Sequence, residues 1–158
     1  MHNALKSLLL VCTLLLSFTG FAQDQKTKDD QILKEYFAKN KIKATKTVSG
    51  LYYVITKKGS GENAKKGQTA VMNYLGKFLD GRKFDANVDD NFKNIRPFQF
   101  VLGVGQVIPG WDEGIQLLNP GTRATLYIPS GIGYGPGGRG PIPPNTVMVF
   151  DVELVSAK

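Results

Sequence analysis

The stretch of sequence that decides the fold runs from Phe98 to Leu118 and reads Phe-Gln-Phe-Val-Leu-Gly-Val-Gly-Gln-Val-Ile-Pro-Gly-Trp-Asp-Glu-Gly-Ile-Gln-Leu-Leu. It contains Trp111, the only tryptophan of the chain, two residues after Pro109. Proline suits the approach to a helix but not its interior, and an acidic residue in the first turn, such as Asp112, complements the positive end of the helix dipole. The pattern therefore predicts a short helix at Trp111 that ends in the Asn-Pro-Gly sequence of residues 119–121.

The apolar side chains of this helix share one face, because Trp111, Ile115 and Leu118 are spaced at i, i+4 and i+7. A large indole at a helix start, directly after the apolar pair Val107 and Ile108, either forms the floor of a concave site or fills a core. The spacing favours the second interpretation, since an apolar stripe at helical spacing is usually core.

Alternating and β-branched segments on both sides of the helix predict an antiparallel sheet. The predicted strands cover residues 51–55, 69–78, 83–85, 98–100, 124–128 and 148–154. Asp80-Gly81 predicts a two-residue hairpin turn that places Tyr74, Phe84 and Asp85 on one hairpin. The polar residues 86–96 predict a bulge or a crossing loop. The predicted fold class is α+β, with one face of the sheet covered by the short helix.

A long loop separates the last two predicted strands. Residues 129–144 contain six glycines and five prolines, which alone would suggest a flexible linker. Loops of this length inside a domain are uncommon unless they are functional, and Tyr134 and Ile142 are the two residues in it that can contribute to a pocket.

The N-terminus has the three-part layout of a secretory signal peptide: Lys6, an apolar run from Leu8 to Phe18, and small residues up to Ala22. The apolar run is too short to span a bilayer. We therefore predict a signal peptide at residues 1–22, and export to the periplasm or the cell exterior. A lipid anchor on Cys12 is the competing interpretation, disfavoured because the residue before it, Val11, is bulky.

Removal of this segment would leave a chain without histidine or cysteine, because His2 and Cys12 are the only ones. Ser-His-Asp and Cys-His catalysis, the usual zinc sites and disulfides are then excluded. We expect no metal and no cofactor.

The formal net charge of +7 invites a nucleic-acid hypothesis. The lysines cluster before residue 47 and at residues 57–66, and aspartates and a glutamate interrupt the first cluster. A solvated surface is the favoured interpretation, so we expect no nucleic-acid partner.

The segment at residues 23–48 precedes the main domain, which we place at residues 49–158. Residues 23–30 are polar and predict disorder, followed by a lead-in helix that Asp29 or Asp30 would cap. Its apolar face would carry Ile32, Leu33, Tyr36 and Phe37, with Ile42 beyond it. The helix would pack on the domain, mediate a dimer or hold the domain off a membrane, and the sequence does not choose among these.

Seven short motifs, collinear between about Leu51 and Leu154, carry a resemblance to a known family. They are Tyr74-Leu75-Gly76, Asp80-Gly81-Arg82-Lys83-Phe84-Asp85, Pro97-Phe98-Gln99-Phe100, residues 105–114, Gly133-Tyr134-Gly135, Ile142-Pro143-Pro144-Asn145 and residues 149–154. Together they resemble the FKBP-type peptidyl-prolyl cis-trans isomerases, the rapamycin-binding immunophilins. The helical lead-in resembles exported bacterial members.

The resemblance implies a twisted antiparallel half-barrel wrapped around one short helix, with the active pocket between helix and sheet. Trp111 would then be the pocket floor as well as core. The implied catalytic residues are Tyr74, Phe84, Asp85, Trp111, Tyr134 and Phe150. The implied substrate-binding residues are Phe98, Gln106, Val107, Ile108 and Ile142. The family often has Glu where this chain has Gln106, and a His or aromatic residue near Arg139.

The implied activity is acceleration of Xaa-Pro bond rotation in unfolded or folding exported proteins. The implied partners are proline-containing unfolded or nascent polypeptides and macrolide inhibitors of the rapamycin type, with a possible dimer through the lead-in helix. The competing hypothesis is a binding module, either a chaperone or scaffold for apolar segments or a receptor for a small ligand, in which the isomerase pocket is idle.

Overall fold

A computed structural model of the chain describes residues 24–89, 91–96 and 98–158. The predicted signal peptide and Cys12 lie outside the described residues. The elements are, in chain order, helix α1 (residues 24–40), β1 (Thr45–Lys46), β2 (Tyr52–Lys57), β3 (Thr69–Lys77), β4 (Lys83–Ala86), β5 (Phe98–Val101), helix α2 (Pro109–Gln116), β6 (Arg123–Ile128), the 3-10 turns Ser130–Ile132 and Gly135–Gly137, and β7 (Met148–Ala157). Among these residues no helix combines the length and the apolar character needed to cross a membrane.

The seven described strands form one antiparallel sheet in the order β1-β2-β6-β7-β3-β4. The ten-residue strand β7 lies in its middle and pairs with β6 on one side and β3 on the other. Strand β5 pairs with the first half of β3, and β4 pairs with its second half. The predicted α+β class is confirmed, and β1 is a two-residue strand that the sequence did not indicate.

The main core lies between the sheet and helix α2, as the half-barrel interpretation implies. Strand β3 alternates as predicted, with Ala70, Met72 and Tyr74 buried. Trp111 and Ile115 of α2 are buried against the same face of the sheet. The helix therefore fills the concave side of the half-barrel, because packing its apolar stripe against the inner side chains of the strands buries both surfaces away from water.

Helix α2 lies two residues earlier in the chain than the sequence suggested. It begins at Pro109 itself, where a missing N–H is tolerated, and ends at Gln116 rather than at residues 119–121. The N–H of Leu118 donates to the carbonyl of Ile115 at 3.0 Å, which tightens the chain into a 3-10 turn. The carbonyl of Leu118 is then free to accept the N–H of Ala64 at 2.8 Å.

The hairpin between β3 and β4 is present, but its turn is not the predicted two-residue type. The N–H of Gly81 donates to the carbonyl of Phe78 at 3.0 Å, and the N–H of Phe78 donates to the carbonyl of Arg82 at 2.9 Å. Three residues therefore form the loop. Only Gly81 has a positive φ, of 88°, whereas the predicted turn type needs two such residues.

Helix α1 packs on the outer face of the sheet and forms a second core. Leu33 and Phe37 are buried there, and the Phe37 ring lies 5.0 Å from that of Tyr52 on β2 and 4.8 Å from that of Tyr127 on β6. Docking on the domain is thus the arrangement that the described chain adopts. The side of the domain that holds α1 is opposite to the side that holds α2.

Three expectations for this segment were wrong. Residues 24–30 are helical rather than disordered, and Asp29 and Asp30 lie inside α1 rather than at its cap. Ile32 is 44% exposed and does not belong to the buried face. The physical reason is that the buried face follows residues 29, 33 and 37 at i, i+4 and i+8, and a polar first member hides this stripe from a search for apolar residues.

Candidate active site

A cavity of about 680 Å³ opens between helix α2, the concave face of the sheet and the loop that joins β6 to β7. Every site residue named from the sequence lines this one cavity: Tyr74, Phe84, Asp85, Phe98, Gln106, Val107, Ile108, Trp111, Tyr134, Ile142 and Phe150. The sequence thus predicted which side chains would meet, although their chemical roles are a separate matter.

Trp111 is both core and floor of this cavity. It is 4% exposed, and the rings of Tyr74, Phe98 and Phe150 meet it edge-on at centroid distances of 5.2, 5.8 and 5.3 Å. The choice between plug and floor that the spacing left open is therefore not exclusive. Among the described residues no hydrogen-bond acceptor meets the buried indole N–H. The rings around the indole give the floor a largely apolar, aromatic surface.

A single polar pair lies in the aromatic wall. The hydroxyl of Tyr74 donates to Oδ2 of Asp85 at 2.9 Å. The two residues come from neighbouring strands, since Asp85 of β4 pairs with Gly76, two positions after Tyr74 on β3. Burial, reinforced by the Asp85 hydrogen bond, raises the pKa of Tyr74 to about 12. The hydroxyl consequently stays a neutral donor throughout the physiological range.

Gly76 allows two walls of the cavity to approach each other. A Cβ atom at this position would lie 2.6 Å from Cε2 of Phe84 and 2.7 Å from Cε1 of Phe150. These two rings meet edge-on at 5.5 Å over the glycine. A side chain here would push at least one wall out of place, so the close approach requires glycine.

Asn87 is a structural residue of the site that the sequence reasoning missed. It is 1% exposed, accepts the N–H of Tyr74 at 2.7 Å and donates to the carbonyls of Met72 and Arg96 at 2.8 and 3.0 Å. It thereby ties the loop after β4 to the strand that carries Tyr74. An asparagine in a polar segment is typical of a turn, and no sequence signal distinguishes this one.

The loop before α2 is held by two side chains. The Asp112 carboxylate accepts the N–H groups of Gly103 and Gly105 at 2.8 and 2.9 Å. Oε1 of Gln106 accepts the N–H of Val101 at 2.8 Å. Gln106 lines the cavity as predicted, but its side-chain oxygen accepts a hydrogen bond from the last residue of β5. For Asp112 the sequence predicted only an interaction with the helix dipole.

The β6–β7 loop (residues 129–147) closes the other side of the cavity with Tyr134 and Ile142, as expected. The Arg139 guanidinium lies over the Tyr134 ring at 5.6 Å from its centroid. Arg139, Gly105, Gly140 and Pro141 also line the cavity and were not among the predicted site residues. Gly105, Gly140 and Pro141 have no polar side chain that could have marked them as site residues.

We expect the free energy of unfolding to fall between about pH 10 and pH 12 because of two buried tyrosines. Burial, with smaller contributions from Asp85 and from Tyr36 and Asp151, raises the pKa values of Tyr74 and Tyr127 to about 12. An unfolded tyrosine titrates near 10, so over this window the unfolded chain binds fewer protons and gains stability relative to the folded one. Below about pH 10 the contribution is fully present.

Urea unfolding at a series of pH values measures this dependence. Tyr74→Phe and Tyr127→Phe should each reduce the fall in the free energy of unfolding between about pH 10 and pH 12, and the double variant should reduce it further. An unchanged slope in the double variant would show that other groups cause the loss.

No group of three His, Cys, Asp or Glu side chains within residues 24–89, 91–96 and 98–158 is arranged to hold a metal ion. The cavity offers one carboxylate, one guanidinium, two phenols, the carboxamide of Gln106 and otherwise mostly apolar or backbone surface. The fold and the site define a class of protein: an antiparallel half-barrel with an aromatic-floored cavity, shaped to take an apolar ring or side chain, and a few polar groups in its wall.

Comparison with known proteins gives the family. Residues 60–155 match the family model described as FKBP-type peptidyl-prolyl cis-trans isomerase. The chain belongs to this family, as the motifs indicated.

Relatives and solved structures agree. A protein of Neisseria meningitidis serogroup B named "Probable FKBP-type peptidyl-prolyl cis-trans isomerase FkpA" is 44% identical over 135 residues, which cover 85% of this chain and 47% of that protein. The crystal structure of FkpA from Escherichia coli is similar at a TM-score of 0.69 and 35% identity, covering 86% of this chain and 62% of that one. The crystal structure of AtFKBP13 is similar at a TM-score of 0.66 and 34% identity, covering 74% of this chain and 100% of that one. The chain spans about half the length of the curated FkpA relatives that it matches.

Proposed function

We propose that this chain is a peptidyl-prolyl cis-trans isomerase that accelerates rotation about Xaa-Pro bonds in unfolded or folding exported proteins. The observation that carries the proposal is the intact cavity: an edge-packed aromatic floor at Trp111 with the Tyr74 and Asp85 pair in its wall. Membership of the FKBP-type family supports the same activity.

The reaction needs little chemistry from side chains. Resonance gives the amide C–N bond a rotation barrier of about 18–20 kcal/mol, and an Xaa-Pro bond therefore isomerises in tens to hundreds of seconds. No bond is made or broken, so the reaction needs neither a nucleophile nor a metal ion. A million-fold acceleration requires about 8 kcal/mol of barrier reduction.

A dry aromatic cavity supports that reduction through differential solvation. The planar amide is charge-separated, whereas the twisted transition state has lost that resonance. Removing water from the amide therefore disfavours the ground state more than the transition state. Trp111 is 4% exposed and Phe150 equally so, which makes the floor of the cavity the place where this effect is largest.

The proposed roles follow the position of each residue in the cavity. The proline ring would rest on Trp111 between the aromatic walls Phe84, Phe98 and Phe150, with Val107 and Ile142 as further apolar contacts. Tyr74 and Asp85 would orient the substrate. The Tyr134 hydroxyl and the Ile108 N–H would donate to substrate carbonyls, and Gln106 would support the rim through its bond to Val101.

The proposed substrates are proline-containing unfolded or nascent polypeptides, with macrolides of the rapamycin type as inhibitors that occupy the same cavity. Export to the periplasm or the cell exterior is proposed from the signal-peptide layout of residues 1–22. A dimer through the lead-in helix would have to use the exposed side of α1, because Leu33 and Phe37 are already buried against the sheet of the same chain.

The test is the cis-to-trans rate of a short peptide with an apolar residue before proline, measured with the full chain in the presence and absence of rapamycin. We expect acceleration that rapamycin abolishes. Rapamycin binding without acceleration, in a protein shown to be folded, would contradict the isomerase proposal and favour the binding module. Absence of both would contradict the assignment of the cavity.

A further inference from the structure

A buried carboxylate outside the cavity connects helix α1 to the β6–β7 loop. Asp29 is 0% exposed although it lies on a helix whose neighbouring residues are largely solvated. Its Oδ2 accepts both the N–H of Ser130 at 2.7 Å and the hydroxyl of Ser130 at 2.6 Å, and its Oδ1 accepts Nε2 of Gln25 at 2.8 Å. A buried charge with three donors is costly to assemble and, once assembled, holds its partners firmly.

Ser130 is the second residue of the loop that carries Tyr134, Arg139 and Ile142. The backbone between Ser130 and Tyr134 is closed by two hydrogen bonds, from the N–H of Ile132 to Pro129 at 3.1 Å and from the N–H of Gly133 to Ser130 at 3.0 Å. This short rigid turn means that a displacement of Ser130 is passed to Tyr134 rather than absorbed between them.

The next carboxylate along α1 makes its hydrogen bonds and ion pairs with other elements. Asp30, the next residue, pairs with Lys34 and Lys46 and accepts the hydroxyl of Tyr52 at 2.8 Å. Those contacts anchor the helix to β1 and β2. Asp29 is therefore a separate connection, directed at the loop that closes the cavity.

We propose that Asp29 is a positioning residue of the active site: through Ser130 it holds the β6–β7 loop so that Tyr134 faces the bound peptide, which makes α1 part of the isomerase unit. The inference rests on the proposed function for its catalytic consequence, while the hold on the loop itself is independent of it.

The first test compares Asp29→Ala with Asp30→Ala in the full chain. Both remove a carboxylate from the same turn of α1, and both should lower the melting temperature. Only Asp29→Ala leaves the two Ser130 donors without their acceptor, so it should lower kcat/KM by about tenfold, since displacement of a positioning group by about an ångström costs that much or more. Equal kcat/KM values in the two variants would overturn the proposal.

A conservative variant separates positioning from mere support of the fold. In Asp29→Asn the amide oxygen can still accept both Ser130 donors, and the Gln25 amide can turn to face the new NH₂ group. We expect kcat/KM within about twofold of the original protein. A loss equal to that of Asp29→Ala would overturn the role assigned to the Ser130 contacts.

Two further measurements complete the test. If Asp29 acts through Tyr134, Asp29→Ala should slow the reaction much less in a Tyr134→Phe background, whereas additive losses would overturn that route. Amide exchange of residues 130–138 should accelerate by about tenfold or more in Asp29→Ala and not in Asp30→Ala. The exchange measurement tests whether Asp29 holds the β6–β7 loop even if the original protein shows no isomerase activity. Unchanged exchange in Asp29→Ala would overturn that part of the proposal.

Discussion

Trp111→Leu is expected to lower kcat/KM for proline isomerisation by about tenfold or more, with the protein still folded. The indole is the floor on which the proline ring would rest, and three other aromatic rings meet it edge-on. Leucine keeps an apolar group in the core but removes the flat surface. The accompanying loss in the free energy of unfolding should be about 1–3 kcal/mol, which a domain of this size can tolerate.

Phe100→Leu is the matched control for this prediction. Phe100 is 5% exposed and its ring lies 6.0 Å from that of Trp111, but it is not among the residues that line the cavity. It should lose a similar amount of stability with kcat/KM unchanged. The activity is measured with a short Xaa-Pro peptide and the stability by urea unfolding. Full activity in folded Trp111→Leu would contradict the role of the indole as a catalytic floor.

Gly138→Ala is expected to disrupt the β6–β7 loop and to lower both stability and activity. Gly138 has φ 62° and ψ −170°, a region that is essentially restricted to glycine. An added Cβ would also lie 2.4 Å from the carbonyl oxygen of Ile142 and 2.9 Å from the carbonyl carbon of Pro143. Both neighbours are backbone atoms that cannot rotate away. We expect a loss of about 3 kcal/mol in the free energy of unfolding, or a displaced loop with weaker rapamycin binding.

Gly135→Ala is the comparison at a glycine that has a positive φ but no steric conflict. Gly135 also has a positive φ, of 58°, but nothing lies within 4 Å of the position of its Cβ. It should lose only about 1 kcal/mol, the ordinary cost of a left-handed residue other than glycine. Calorimetry and rapamycin titration of the two variants give the comparison. Equal losses would mean that neither the unusual backbone region of Gly138 nor its contact with the backbone of residues 142–144 adds to the cost of a positive φ.

Two kinds of signal predicted the cavity, because six of the eleven site residues named from the sequence lie in regular strands or at the start of α2, and the other five lie in loops that the family motifs cover. The alternation of β3 placed Tyr74 on the buried face, and helical spacing placed Trp111 with Ile115. Seven collinear motifs then related these positions to one family. The residues in regular strands and at the start of α2 could therefore be predicted without knowledge of distant contacts.

Prediction was weakest where a polar side chain is buried by a distant partner. The sequence analysis treated Asp29 as a helix cap and therefore placed the start of α1 too late. The Asp29 carboxylate instead accepts hydrogen bonds from Ser130, 101 residues further along the chain. Asn87 looked like an ordinary loop residue, although it holds the N–H of Tyr74. Polar residues carry no hydrophobic period, and local rules therefore assign them to caps and turns.

The amino-acid sequence by itself determined the α+β class, the positions of most strands and of α2, and the set of aromatic residues around Trp111. These properties follow from apolar periodicity and from motifs whose meaning is local. Only the tertiary structure decided that α1 packs on the outer face of the sheet, and that Asp29 and Asn87 hold the elements that carry Tyr134 and Tyr74. The reason is physical: a hydrogen bond between buried polar groups is specified by the positions of both partners, and those positions exist only when the distant parts of the chain have come together.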